Sequence, residues 1–411
     1  MAILIENIKQ LVGVREQPQL LKGEAVKQLP SIENAYLIVE GDEIAAFGSM
    51  DDLGYHKITE IVDASGQFVL PCWCDSHTHL VFAASRESEF LDKINGKTYS
   101  EIAAAGGGIL NSAKKLSDTS EEALFQSAWQ RLAYVRSLGT GAIEIKSGYG
   151  LSVEAELKML RVIKRLKEQS DLIIKATFLG AHAYPEAFKN DHQGYIRLII
   201  EDMLPAIAAD NLADYIDVFC EEGFFSVAET EQILEAGKRY GLKPKIHANQ
   251  LYRSGGVQVG VRQGAVSVDH LETIGEEELA CLEQAETIAT VLPTAAFFLR
   301  MQYPPVRQML QRNIALALAT DFNPGSSPSG NMPLLIALSC IQMQMTPEEA
   351  INAATLNGAY AMEVQNQAGS ITIGKKANLI FTKPMPSLGY LPYSFGENLI
   401  DKVMIKGAMN E

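Results

Sequence analysis

The stretch Asp75-Ser76-His77-Thr78-His79 constrains this chain most. Two histidines one residue apart follow an apolar run, residues 66–74, that reads as a short buried strand. At a strand end, side chains at i and i+2 point the same way. Both imidazoles can then meet one ion, and imidazole nitrogen suits Zn or Fe. A lone histidine is more often a packed or surface residue. The pair becomes a metal site only if the rest of the chain brings further ligands to the same place.

The chain has 411 residues, enough for one large barrel with an appendage or for two or three ordinary domains. Before residue 66 the pattern is β-like, with short runs at 2–5, 35–39 and 43–48 separated by turn residues. From residue 66 short apolar runs alternate with amphipathic helical stretches, the mark of repeated βα units. Eight such runs can be counted: the first ends at His77 and His79, and the others span 140–146, 172–179, 215–220, 243–247, 265–270, 287–293 and 314–321. Helices are expected at 120–137, 153–167, 194–209, 227–240 and 275–284. Eight units over residues 66–364 predict an α/β fold, a (β/α)8 TIM-like barrel. A doubly wound sheet is the alternative. The tail returns to β character at 369–381. It is expected to pair with the N-terminal strands, giving one small β-sandwich domain from residues 1–65 and 365–411.

Catalytic groups of such barrels sit at the C-terminal ends of the strands. Run one ends in His77 and His79, run five in His247, run six in His270 and run eight in Asp321. Seven histidines placed at random would rarely fall this way. We therefore expect His77, His79, His247 and Asp321 to hold one divalent metal ion, Zn2+ or Fe (2+/3+), with a position left for water. His270 is either a further ligand or a group that hydrogen-bonds that water; packing in the core is its bland reading. Two-metal sites usually need a bridging anion, often a carbamylated lysine. Run four ends Phe219-Cys220-Glu221-Glu222 with no lysine, which favours one metal, although Glu221 or Glu222 could bridge or bind substrate. His56 and His192 read as surface residues.

The remaining composition narrows the partners. A net charge of −15 and a pI near 5.0 argue against nucleic acid or an anionic membrane. An anionic small substrate needs only local cations and stays possible on these grounds. No basic-then-apolar leader opens the chain and no apolar run reaches the roughly 18 residues of a membrane span. The cysteines at 72, 74, 220, 281 and 340 show no framework spacing and read as reduced thiols of a cytoplasmic protein. Cys72 and Cys74 could be ligands, but a lone CxC more often packs in a core. The glycine-rich stretch 103–109 is either a mobile lid over the mouth or a tight loop.

The chain resembles the amidohydrolase superfamily. The match rests on His77-Thr78-His79, His247, His270, Thr320-Asp321 and the split β domain. It is most similar to members that open a small cyclic amide bearing one carboxylate. The stretches that carry this are His77 to Ala83 with Arg86, Glu144-Ile145-Lys146-Ser147-Gly148-Tyr149-Gly150-Leu151, Phe178 to His182, and Thr320 to Ser326. The resemblance implies a small-molecule substrate, a homodimer, and Arg86, Tyr149, His182, Gln250, Asn323, Gly325 and Ser326 as substrate contacts. Arg86 suits a carboxylate because guanidinium binds it in bidentate fashion. Read alone, Asn323-Pro324-Gly325-Ser326 would be only a turn. One departure matters. Many deaminases of this superfamily carry Glu three residues after the strand-five histidine, and here that position is Gln250. An amide cannot ionise. Gln250 can orient substrate or water, and proton handling is left to Asp321 and His270.

Overall fold

The computed structural model describes residues 2–97, 101 and 107–410. Of the glycine-rich stretch, residues 103–106 lie outside that set, so neither reading of it is addressed.

The first strands are β1 (Ala2–Val12), β2 (Ser31–Glu40), β3 (Glu43–Ser49), β4 (Glu60–Asp63) and β5 (Phe68–Pro71). Their alternating side chains give one apolar face, and Ile5, Ile8, Leu11, Leu37, Val39 and Val69 bury it together with Leu379, Phe381 and Met404 from the tail. The tail supplies β14 (Leu379–Thr382), β15 (Ile400–Ile405) and β16 (Ala408–Asn410). All eight strands form one sheet in the order β16-β15-β14-β5-β1-β2-β3, with β4 also on β1.

The second sheet is the barrel: β6 (Trp73–Thr78), β7 (Thr140–Lys146), β8 (Ile173–Ala181), β9 (Tyr215–Cys220), β10 (Lys243–Ala248), β11 (Ser267–His270), β12 (Ile288–Val291) and β13 (Leu316–Leu318). Neighbours pair in parallel, in sequence order, from β6 to β13. This is the expected α/β barrel. The intervening helices include Glu121–Ser137, capped by Ser120, and Val153–Gln169, capped by Ser152.

Three expectations about elements need correction. The run 66–74 is not one strand. Phe68–Pro71 pairs with β1 and β14 in the first sheet, and the barrel begins at Trp73. Pro71 has no N–H to donate, and after one more bond, Cys72 N to Asn378 O at 3.0 Å, the chain leaves that sheet. The eighth strand stops at Leu318, and Asp321 lies beyond it with φ 53°. The helix expected at 194–209 contains a π turn at Ile199–Met203, followed by Pro205. Proline removes the donor for the carbonyl four residues back, which loosens the turn before it.

The barrel closes through residues next to the histidine pair. The Asp75 carboxylate accepts from Thr320 N at 2.9 Å and Thr320 Oγ1 at 2.6 Å. Asp321 N donates to His77 O at 3.0 Å, and His79 N to Phe322 O at 2.9 Å. The same contacts that join first strand to last therefore place Asp321 beside His77 and His79. Among the described residues no helix is long and apolar enough to cross a membrane.

The helix Leu356–Ala361 backs β6. A Cβ on Gly358 would stand 2.4 Å from Cys74 O, a backbone atom that cannot swing aside. Gly358→Ala should lower stability by about 1–3 kcal/mol through overpacking, read from the urea midpoint. An unchanged midpoint would show that this seam yields freely.

Candidate metal centre and active site

Four side chains converge, the histidines from the ends of β6 and β10 and Asp321 from the turn after β13. His247 Nε2 and His79 Nε2 face one another at 3.4 Å. Asp321 Oδ1 lies 3.6 Å from both His77 Nε2 and His79 Nε2. Two nitrogens each about 2.1 Å from one ion at a tetrahedral angle would be about 3.4 Å apart. The observed spacing thus suits a single ion. All four side chains are buried, and His77 Nε2 has no hydrogen-bond partner. An orphaned acceptor in a dry site is costly unless something binds it. Burial, then the Lys146 charge, hold the His77 pKa well below its ordinary value; burial, then His182 and His247, do the same for His79. Both stay neutral, the form that ligates. The donor set therefore fits a divalent cation, which His77, His79 and His247 would hold together, with Asp321 beside His77 and His79.

Behind the ligands lies a buried ionic cluster. His77 Nδ1 stands 2.6 Å from Asp269 Oδ2, and His247 Nδ1 stands 3.0 Å from Asp217 Oδ2. A carboxylate accepts, so His77 carries its proton on Nδ1 and turns the bare Nε2 to the site. Lys146 Nζ ties the acids together, 2.6 Å from Glu144, 2.8 Å from Asp217 and 3.5 Å from Asp269. Lys245 pairs with Glu144 from the other side. Asp217 Oδ1 also accepts from His247 N at 3.1 Å. Burial opposes charge on Lys146 and Asp217, but their mutual attraction prevails. The Lys146 pKa is driven up by Asp217, Glu144 and Asp269, and that of Asp217 is driven down by His247, then Lys146. The sequence reading missed this cluster. Its signal was present, since Glu144, Lys146, Asp217, Lys245 and Asp269 all sit inside apolar β runs, where an unpaired charge would be prohibitive.

His270 follows a different pattern. It and Leu271 adopt φ values of 88° and 72°, unusual for non-glycine residues and typical of functional sites. Its Nδ1 lies 3.3 Å from Glu272 Oε1. Burial disfavours the charged ring, yet Glu272, then Asp321 and Asp269, outweigh it and raise the pKa to about 9. His270 is thus set to donate hydrogen bonds.

These groups line a cavity of about 200 Å³. Its wall includes His79, Arg86, Tyr149, His182, His247, Gln250, His270, Asp321, Asn323, Gly325 and Ser326, with Phe219, Phe224 and Leu299 as apolar surfaces. His77 is packed behind. Tyr149 is set by a loop whose N–H groups at Gly148, Gly150 and Leu151 all donate to Glu156, at 2.6–3.0 Å. Gly148 has φ 111°, and a Cβ there would strike His182. His182 Nδ1 lies 3.0 Å from Gly148 O, so Nδ1 bears the proton and Nε2 is an acceptor. Burial, then His247, push the His182 pKa down to about 3.

Arg86 stands at the N-cap position of the helix Glu87–Ile94 and donates from Nη2 to Glu89 Oε2 at 2.5 Å. A Cβ at position 325 would lie 2.4 Å from Arg86 Nη1, which accounts for Gly325. Asn323 spends its side chain within the turn: Oδ1 accepts from Gly325 N and Ser326 N, both at 2.8 Å, and Nδ2 donates to Asp321 O at 2.6 Å. Ser326 Oγ reaches Asp321 Oδ2 at 3.1 Å. The turn that the sequence suggests is therefore also what aims Asp321.

Other candidates fall elsewhere. Glu221, considered as a bridging acid, gives its oxygens to Leu251 N, Tyr252 N and Ser254 Oγ and so holds the loop after β10. Cys72 and Cys74 are buried and packed in the core. His56 is exposed, and His192 is half exposed and stacked on Tyr184 with ring centroids 3.7 Å apart. Three cavity residues had no motif to mark them: Lys93, on the same helix as Glu89, Phe224 and Leu299.

Comparison with known proteins places this geometry. The amidohydrolase family model matches residues 68–409. A protein named imidazolonepropionase from Flavobacterium johnsoniae is 57% identical, covering 99% of both chains. One of the same name from Christiangramia forsetii is 55% identical over 100% of both, and one from Flavobacterium psychrophilum is 53% identical over 99% of both. Among solved structures, atrazine chlorohydrolase from Arthrobacter aurescens, complexed with zinc, superposes with a TM-score of 0.71 at 14% identity, covering 99% of this chain and 94% of that one. An adenosine deaminase from Xanthomonas campestris with bound zinc gives 0.69 at 16%, covering 99% and 92%. At such identities the likeness is one of fold.

The cluster makes a testable claim. Lys146→Met would strand buried carboxylates and should cost about 3–5 kcal/mol of stability. It should also lower metal content in elemental analysis of purified protein, as His77→Ala should directly. Full metal loading with an unchanged unfolding midpoint would show that Lys146 does not hold the ligands in place.

Proposed function

The chain belongs to the amidohydrolase family, and from that premise we propose that it hydrolyses 4-imidazolone-5-propanoate to N-formimidoyl-L-glutamate, the imidazolonepropionase step of histidine degradation. The observation that carries this is full-length identity of 53–57% with three proteins of that name. The cavity agrees in its chemistry. Its wall carries both the ligand cluster with its Asp321 carboxylate and the Arg86 guanidinium.

We assign one ion, Zn2+ or iron, to His77, His79, His247 and Asp321, and place the reaction in the cytoplasm. A divalent ion held there would supply Lewis acidity and ease deprotonation of the attacking water. Arg86 takes the propionate through its directed N–H groups. Tyr149, kept un-ionised by burial and the Asp321 charge, offers a hydroxyl, and His182 Nε2 accepts from a ring N–H. Gln250 fixes the ring by hydrogen bonds alone. Water oxygen adds to the ring carbonyl carbon while Asp321 accepts the water proton. His270 donates to the oxyanion that forms. The carbonyl carbon–nitrogen bond then breaks, Asp321 returns the proton to the departing nitrogen, and a carboxylate and an open formimidoyl group result. The deaminase reading drawn from the same scaffold lacks its acid, because Gln250 stands in that position.

Three measurements test this. Loss of the imidazolone ultraviolet band should follow addition of enzyme and stop after chelation; no turnover by metal-replete protein would sink the assignment. Asp321→Asn should reduce kcat by several orders of magnitude, and near-normal kcat in a folded, metal-loaded variant would remove it as proton carrier. Arg86→Ala should act chiefly on KM; an unchanged KM would take the guanidinium out of the site.

A further inference from the structure

A chain of net charge −15 must draw an anionic substrate into its barrel. Long-range repulsion works against this except where local cations outnumber anions. One face of the helix Glu87–Ile94 bears on the question. Arg86, Glu89 and Lys93 are spaced i, i+3 and i+7, which puts them on one side. Arg86 and Lys93 both line the cavity. Their situations differ. Arg86 is paired with Glu89, whose other oxygen accepts Gly108 N at 3.0 Å, so the acid is pinned and the Arg86 charge is locally balanced. Among the described residues the Lys93 side chain makes no hydrogen bond or close ion pair, and the carboxylate it feels, Glu89, is the one Arg86 already holds. It also borders a second, apolar cavity of about 190 Å³ walled by Phe90, Phe298, Pro324 and Pro328. Low-dielectric walls concentrate the field of a charge at a cleft mouth.

We propose that Lys93 is a specificity-determining residue: it is the uncompensated cation that selects a carboxylated substrate and draws it to the mouth, while Arg86, fixed by Glu89, supplies direction. Arithmetic on the three side chains supports the division, since one guanidinium and one carboxylate cancel and the ammonium is left over. The inference rests on the substrate assigned above.

The test uses the metal-loaded enzyme and Lys93→Gln, with Lys93→Arg as the charge-preserving control. KM for imidazolone propanoate should rise roughly five- to tenfold in Lys93→Gln, the scale of one charge acting across a few ångströms of wet cleft, while kcat changes far less. The arginine variant should restore KM. Wild-type kcat/KM should fall as salt rises from about 10 mM to about 0.3 M, as screened attraction requires, and Lys93→Gln should flatten that slope. Calorimetric binding of 3-(imidazol-4-yl)propanoate and of its neutral amide separates charge from shape: Lys93→Gln should weaken the acid alone. An unchanged KM and salt slope, or equal weakening of acid and amide, would overturn the role. If wild type turns over no imidazolone propanoate, the functional assignment fails instead, and the two imidazole ligands still decide what Lys93 does.

Discussion

One ammonium group, Lys146 Nζ, within 2.6–3.5 Å of three buried carboxylates, underlies this active site. Two of those acids, Asp217 and Asp269, hold the Nδ1 side of His247 and His77. Without the lysine, three carboxylates would crowd a dry barrel interior and could not all remain charged. With Lys146 and Lys245, the formal balance is three negative against two positive, leaving one net negative charge just behind the ligand ring. A divalent cation gains from that surplus, and neutral imidazoles alone would not supply it. Asp269 also fixes which nitrogen of His77 is bare, so that ligand is aimed before any ion arrives. An apolar barrel core would pack as well but could do neither.

The same physics explains what could be read from the sequence. Ligand positions were legible because a barrel puts its chemistry at strand ends, and His77, His79, His247 and His270 each close an apolar run. Gln250 was legible because a missing charge is visible in one letter. The strand break at Pro71 was harder. An apolar run looks the same whether one sheet or two consume it, and only the pairing partners from the tail decide. Asp321 escaped its strand for a similar reason: the turn made by Asn323 and Ser326 pulls it out, and that turn is a set of hydrogen bonds, not a periodicity. The ionic cluster was legible in principle. Charges inside Thr140–Lys146, Tyr215–Cys220 and Ser267–His270 demanded partners, but spacing along one strand does not say which strand supplies them.

The cavity itself was the least legible part, because its wall comes from loops that meet only in the fold. Arg86 passes over Gly325, where a methyl group would lie 2.4 Å from the guanidinium. Glu156 holds the Tyr149 loop, and Glu221 holds the loop after β10. In each case a buried carboxylate gathers backbone N–H groups and makes a loop as rigid as the barrel beneath it. Precision at the site thus depends on acids that touch no reacting atom.

This division of labour bears on why the scaffold opens a ring here. Ring opening needs one proton carried from the attacking water to the nitrogen that departs. Asp321 faces the ligand imidazoles through Oδ1 and is steadied by Ser326 through Oδ2, so it can make that transfer without a second acid. Deamination on the same scaffold adds a proton to a ring nitrogen as well, which calls for an ionisable group where Gln250 stands. On the proposed reading, Arg86 takes a substrate carboxylate that has no part in the chemistry. Binding energy from a remote group can then be used to press the ring carbonyl against the ligand cluster, and the amide of Gln250 is left with the one task it can perform, orientation.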